Sequence, residues 1–86
     1  MAQYHLQSGE LTCTFAGQLD ADACDSLWDE IEPHLAGSQS VVFDLAPVEY
    51  VSSAFLRVCI QTARASDFHF RVINSSPGIK RVFDGT

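Results

Sequence analysis

The sequence predicts an α/β fold: a mixed sheet of about four strands, two main helices on one face of it, and a short helix at the C-terminal end. Three observations carry that expectation. Stretches of period two alternate along the chain with stretches of helical period. Turns rich in Gly, Pro and Ser separate them. The resulting order is strand, strand, helix, strand, helix, strand, short helix. It calls for parallel neighbours joined by right-handed crossovers, which put both long helices on one face when the strands step consistently across the sheet.

The elements follow in turn. Leu11, Cys13 and Phe15 alternate with Thr12, Thr14 and Ala16, the pattern of a strand with one buried face. Ser8-Gly9 ahead of it marks a turn, so Tyr4 to Leu6 is expected to be a short hairpin partner, and Gly17 ends the run. Asp20 is placed to cap a helix in which Cys24, Leu27, Trp28, Ile31 and Leu35 recur at helical spacing. Trp28 is expected in the core. Asp22, Asp25, Asp29, Glu30 and Glu32 fill the other side as a solvated face. Pro33 interrupts the pattern, so the helix is expected to end near Glu32 or to distort in its last turn. Val41, Val42, Phe43 and Leu45 form a nearly continuous apolar run, which reads as a strand covered on both faces, and Ala46-Pro47 breaks it. Leu56, Cys59, Ile60 and Ala63 then share one helical face, opposite Arg57, Gln61 and Arg64. Phe68, Phe70, Val72 and Ile73 make a last strand. Ser76 caps, and Pro77 starts, a short helix running toward Phe83.

Eighty-six residues bound the chain to a single domain, residues 1–86, with a small core. A hydrophobic fraction of 47% and a charged fraction of 19% are those of a globular rather than a disordered chain. The net charge is −6 and the densest basic stretch is Lys80-Arg81, so nucleic acid and anionic membrane surfaces are poor partners. No apolar run is long enough for direct membrane insertion. The opening MAQYHLQSGE lacks the basic and apolar regions of a secretory signal. Cys13, Cys24 and Cys59 are odd in number and scattered, and read as reduced core thiols of a cytoplasmic protein.

The functional expectation rests on Val41 to Arg64, where an apolar strand ends in a turn and Ser52-Ser53 opens an amphipathic helix. A helix start has unpartnered amides and the positive end of the dipole, and so tolerates an anion. With Ser52 as N-cap, its side-chain oxygen accepts from the amide of Ala54 or Phe55. Val51 and Leu56 then form a hydrophobic staple, and Ser53 stands at the first helical position with its hydroxyl free. A shift of one residue would exchange the two serines. A phosphate on Ser53 adds roughly −1.5 to −2 charge. At a helix N-terminus the fold bears that charge easily, whereas a partner packed there must bury or pair a dianion. The expected result is a switch in binding without a switch in fold. The plainer alternative is a serine that only caps its helix, and the surrounding sequence weighs against it.

Three blocks of that sequence resemble the STAS domain, the module of bacterial anti-sigma-factor antagonists. Gly17-Gln18-Leu19-Asp20-Ala21 resembles the family's entry to its first helix. Val41-Val42-Phe43-Asp44-Leu45 with Val48-Glu49-Tyr50-Val51-Ser52-Ser53-Ala54-Phe55-Leu56 resembles its strand and Asp-Ser-x-Gly-Leu helix start. Asn74-Ser75-Ser76-Pro77-Gly78-Ile79-Lys80-Arg81-Val82-Phe83 resembles its last strand-to-helix turn. The resemblance implies a STAS-like fold and a partner-switching regulator with no catalysis and no cofactor of its own. Its expected partners are an anti-sigma factor that is also a serine kinase, and a cognate phosphatase. It implies Ser53 as phosphoacceptor, on a docking surface made of Asp20, Ser52, Ser53, Ala54, Phe55 and Arg57. Two residues depart from the pattern. Ser52 replaces the usual Asp, and Phe55 replaces the usual Gly, where it either closes the site or forms an exposed anchor for a different partner.

Other chemistries find little support. His5, His34 and His69 share no metal-ligand spacing, and there is no Cys-x-x-Cys. Ser53, His69 and Asp44 make a hydrolase triad on paper, but the Gly-x-Ser-x-Gly elbow is missing. No glycine-rich phosphate loop is present. The rival to the phospho-switch is a STAS interaction subunit that is never phosphorylated and regulates a transporter or a signalling complex.

Overall fold

The chain opens with a hairpin, β1 (Ala2–Gln7) and β2 (Glu10–Phe15), in a computed structural model that describes residues 2–67 and 69–84, the last three as backbone. Its turn holds Ser8 at φ 54° and Gly9 at φ 81°. Two left-handed residues in succession are the type I′ geometry, whose twist matches that of the strands it joins. Pairing runs from Gln7↔Glu10 out to Ala2↔Phe15, so the hairpin expected around Tyr4 to Leu6 is present and longer.

β4 (Ser40–Asp44) pairs parallel with β2, and β6 (Phe70–Ile73) pairs parallel with β4, giving a main sheet of order β1-β2-β4-β6. Phe68, expected in this last strand, lies outside the described residues. The crossover from β2 to β4 carries α1 (Ala21–Cys24) and α2 (Leu27–Leu35), and the crossover from β4 to β6 carries α3 (Ser53–Ala65). Two right-handed steps in the same direction put these helices on one face, where α3 packs against both α1 and α2. Between sheet and helices lie Leu11, Cys13, Phe15, Val41, Phe43, Leu27, Ile31, Phe55 and Val58. Phe43 is the hub: it meets Phe15 and Phe70 edge-on at 4.8 Å and lies tilted against Phe55 at 5.8 Å.

Two short strands join the expected four. β3 (Gly17–Leu19) and β5 (Val48–Val51) pair parallel in a sheet of their own. The C-terminal helix α4 (Pro77–Asp84) starts as expected, with the Ser76 hydroxyl oxygen accepting from the Ile79 amide at 3.3 Å. Ile79 reaches the core, and α4 packs against β5. Among the described residues no helix is long and apolar enough to cross a membrane.

Three expectations change. The first helix is broken at Asp25-Ser26, where two residues that compete with the backbone for hydrogen bonds favour a turn. Pro33 does not end the second piece, which continues to Leu35 with the proline on an exposed position. The buried stripe of α3 is Phe55, Val58, Cys59 and Thr62, while Ile60 is 52% exposed. Thr62 can be buried because its hydroxyl donates to the Val58 carbonyl at 2.9 Å. Val42 is buried as expected, but on the reverse face of the sheet, where its register neighbours are Thr12 and Arg71 rather than a helix.

Candidate functional site

The β3–β5 ribbon builds the site. Leu19 and Val51 sit side by side in register, and each strand runs directly into a helix. The Ser52 amide donates to the Leu19 carbonyl at 2.9 Å, and the Gly17 amide donates to the Pro47 carbonyl at 3.1 Å, so the pairing extends past both ends. Gly17 holds φ 81°, a backbone conformation natural to glycine, where the chain leaves β2 for the ribbon. Asp20 and Ser52 thus become adjacent N-caps, and α1 and α3 begin side by side. Asp20 takes the cap role: its carboxylate accepts from the Ala23 amide at 2.9 Å.

Ser52 occupies the N-cap of α3 in extended backbone geometry, φ −103° and ψ 172°, but its side chain makes no capping bond. Its hydroxyl is buried, with no oxygen or nitrogen partner among the described residues. The helix start is closed by backbone instead, with the amides of Phe55 and Leu56 both donating to the Ser52 carbonyl at 3.0 and 3.3 Å. The Ser52 hydroxyl lies by the Cys24 thiol. Burial raises that thiol's pKa, and the neighbouring hydroxyl opposes part of the rise. Ser53 is the first residue of α3 and is exposed. Helix geometry leaves the amides of Ser53 and Ala54 without intrahelical acceptors, so its hydroxyl stands at an electropositive end.

A groove of about 340 Å³ runs from this end between α1–α2 and α3, lined among others by Cys24, Asp25, Trp28, Asp29, Ala54 and Arg57. Trp28 is therefore a half-buried wall of the groove as well as a core contact. Of the six residues expected at the docking surface, Asp20, Ser52, Ser53, Ala54 and Arg57 come together. Phe55 does not. It is 0% exposed and lies edge-on to Phe15 at 5.4 Å, so it is a core residue and no anchor. Position three of the helix points inward, and a large apolar side chain follows it into the core. The aromatic that sequence reasoning missed is Tyr50, 51% exposed on β5, three residues before Ser53. Its exposure was hidden because β5 shows no period of two: Glu49 and Tyr50 are both exposed, between buried Val48 and Val51.

The hydrolase triad does not assemble. Ser53 starts the 13-residue α3 and His69 follows its end, about 20 Å away along the axis. His69 bonds the Ser66 carbonyl at 3.2 Å, and Asp44 accepts from Ala46 and Asn74 at 3.0 and 3.1 Å. Among the described residues no three His, Cys, Asp or Glu side chains gather in a metal-binding group.

With the geometry in place, comparison with known proteins is informative. The family described as "Mlab, STAS domain" matches residues 2–84. No curated protein matches the chain in sequence. In structure the chain is similar to the anti-sigma factor antagonist SpoIIAA in its unphosphorylated form, at TM-score 0.80 and 14% identity over 100% of this chain and 84% of that one. The phosphorylated form of the Bacillus cell fate determinant SpoIIAA gives TM-score 0.76 and 16% identity over 99% and 82%. An anti-sigma factor antagonist from Mycobacterium paratuberculosis gives 0.85 and 21% over 98% and 74%. At these identities the structural likeness speaks for the fold, and the family match covers nearly the whole chain. The chain belongs to the STAS domain family.

Proposed function

We propose that the protein is a phospho-switchable protein-binding regulator in the cytoplasm, an anti-sigma-factor antagonist that binds its partner unmodified and releases it when Ser53 carries phosphate. The observation that carries this reading is the exposed Ser53 hydroxyl at the start of α3, set on a surface with Asp20, Ala54 and Arg57. A partner serine kinase supplies ATP. The Ser53 oxygen forms a bond to the γ-phosphorus, the bond from that phosphorus to the β,γ-bridging oxygen breaks, the hydroxyl proton leaves, and ADP departs. A cognate phosphatase hydrolyses the ester and restores binding. The domain itself contributes position and charge, and no catalysis. Because Ser53 is exposed at a positive helix end, the added dianion leaves the fold intact.

The test is intact mass after incubation with ATP and each anti-sigma-type serine kinase of the same organism. A single added phosphate, kept in Ser52→Ala and lost in Ser53→Ala, supports the reading. Phosphate that persists in Ser53→Ala refutes it.

The family description favours a second reading, since it names Mlab and not an antagonist. In that reading the same surface binds a transporter or signalling component constitutively. Capture of such a component with equal strength by the wild type and by Ser53→Glu would select it.

A further inference from the structure

Arg57 stands one helical turn beyond Ser53 on α3. Side chains at i and i+4 of a helix are neighbours, about 5–6 Å apart at Cβ, and the favourable order puts the anion N-terminal to the cation. Both residues are exposed, and neither side chain makes a hydrogen bond or ion pair with any described residue. The guanidinium offers a planar fork of donors that fits a phosphate through two bonds at once. On its other side Arg57 borders the groove whose opposite wall holds Asp25 and Asp29.

We propose that Arg57 clamps a phosphate on Ser53 within the same helix, so that modification changes the docking surface twice. It adds a dianion at the helix start, and it draws the cation that borders the groove toward that start, away from Asp25 and Asp29. A partner shaped for the unmodified surface meets acid in two places where it had met a hydroxyl and a mixed-charge groove. This inference rests on Ser53 as the acceptor, and it adds a residue, Arg57, through which the switch reaches beyond the modified side chain.

The test installs phosphoserine at position 53 by genetic encoding, so no kinase is needed, and follows the second ionisation of the phosphate by phosphorus NMR. Asp20 at the head of α1, and Asp25 and Asp29 across the groove, act on the phosphate in the opposite sense to Arg57 and are common to every variant. In Arg57→Gln the phosphate pKa is expected to rise by about 0.15–0.4 unit. In Arg64→Gln, an exposed change farther along the same helix, it is expected to stay put. Both substitutions lie at exposed positions, so the fold is retained. Equal pKa values in wild type and Arg57→Gln overturn the clamp, and so does an equal shift in Arg64→Gln, which would make the effect one of overall charge. Failure to find any kinase for Ser53 would count against the functional reading and leave this titration with its own answer.

Discussion

Replacing Phe55 with Ala separates a core role from a docking role. The ring is fully buried, against Phe15 at 5.4 Å and Phe43 at 5.8 Å. A phenylalanine buries about 150–250 Å², which at about 25 cal/mol per Å² corresponds to roughly 4–6 kcal/mol for the whole residue. Keeping the Cβ and allowing partial collapse brings the Ala substitution to about 3–5 kcal/mol. A chain of this length has a total stability of about 4–13 kcal/mol, so the substitution is expected to remove a large share of it. Urea unfolding followed by circular dichroism reads this as a lower midpoint at unchanged slope. Phe55→Leu refills most of the space and is expected to cost less than about 1.5 kcal/mol. Phe55→Gly restores the residue of the family pattern, yet it is expected to cost more than the Ala change by about 1 kcal/mol of helix propensity. If Phe55→Ala lost under about 1 kcal/mol while abolishing partner capture, the assignment of Phe55 to the core would be wrong.

Three further outcomes follow from the same geometry. Ser52→Ala removes no capping bond and relieves a buried hydroxyl that has only the Cys24 thiol beside it among the described residues, so the usual loss of about 1 kcal/mol for an N-cap serine is expected to be absent; a full loss in thermal unfolding would show that the hydroxyl caps the helix in solution. Asp20→Ala is expected to cost about 0.5–2 kcal/mol because the Asp20–Ala23 bond is present, and Asp20→Asn, which keeps an accepting oxygen, should recover most of it in the same assay. Burial pushes the Cys13 thiol up to about 12 and raises Cys24 and Cys59 as well, from an ordinary value of 9.0. In that range the folded chain holds protons that the unfolded chain releases, so stability is full below about pH 9 and falls as pH rises toward 12. A urea midpoint that does not move between pH 8 and pH 10.5 would contradict the burial.

Much of the fold was readable because it depends on local chemistry. The Ser8-Gly9 turn, the alternation from Leu11 to Phe15, and the Ser76-Pro77 helix start each specify their geometry within a few residues. The start of α3 was also readable, since Ser52-Ser53 follows an apolar strand and a turn. The strands β3 and β5 were not, because three and four residues are too few for a period to show, and their pairing joins positions some thirty residues apart. The orientation of α3 was misjudged through Thr62 and Phe55. A threonine counts as polar in the pattern, but it is buried once its hydroxyl is satisfied by Val58. Phe55, taken as a departure from a family motif, drew attention to the surface when its size belongs to the core. The capping bond of Ser52 failed for a related reason: residue type indicates what a hydroxyl can do, and packing around Cys24 decides where it turns.

The ribbon of β3 and β5 lies apart from the main sheet and mounts both helix starts on a single strip of backbone. Asp20 and Ser53 therefore cannot be repositioned independently, and a strain applied at either one is shared with the other. A change in the Ala46–Pro47 corner, whose Pro47 carbonyl accepts from the Gly17 amide, would tilt the pair as a unit. A substitution at such a remote corner would shift both helix starts while the aromatic interior stays as it is.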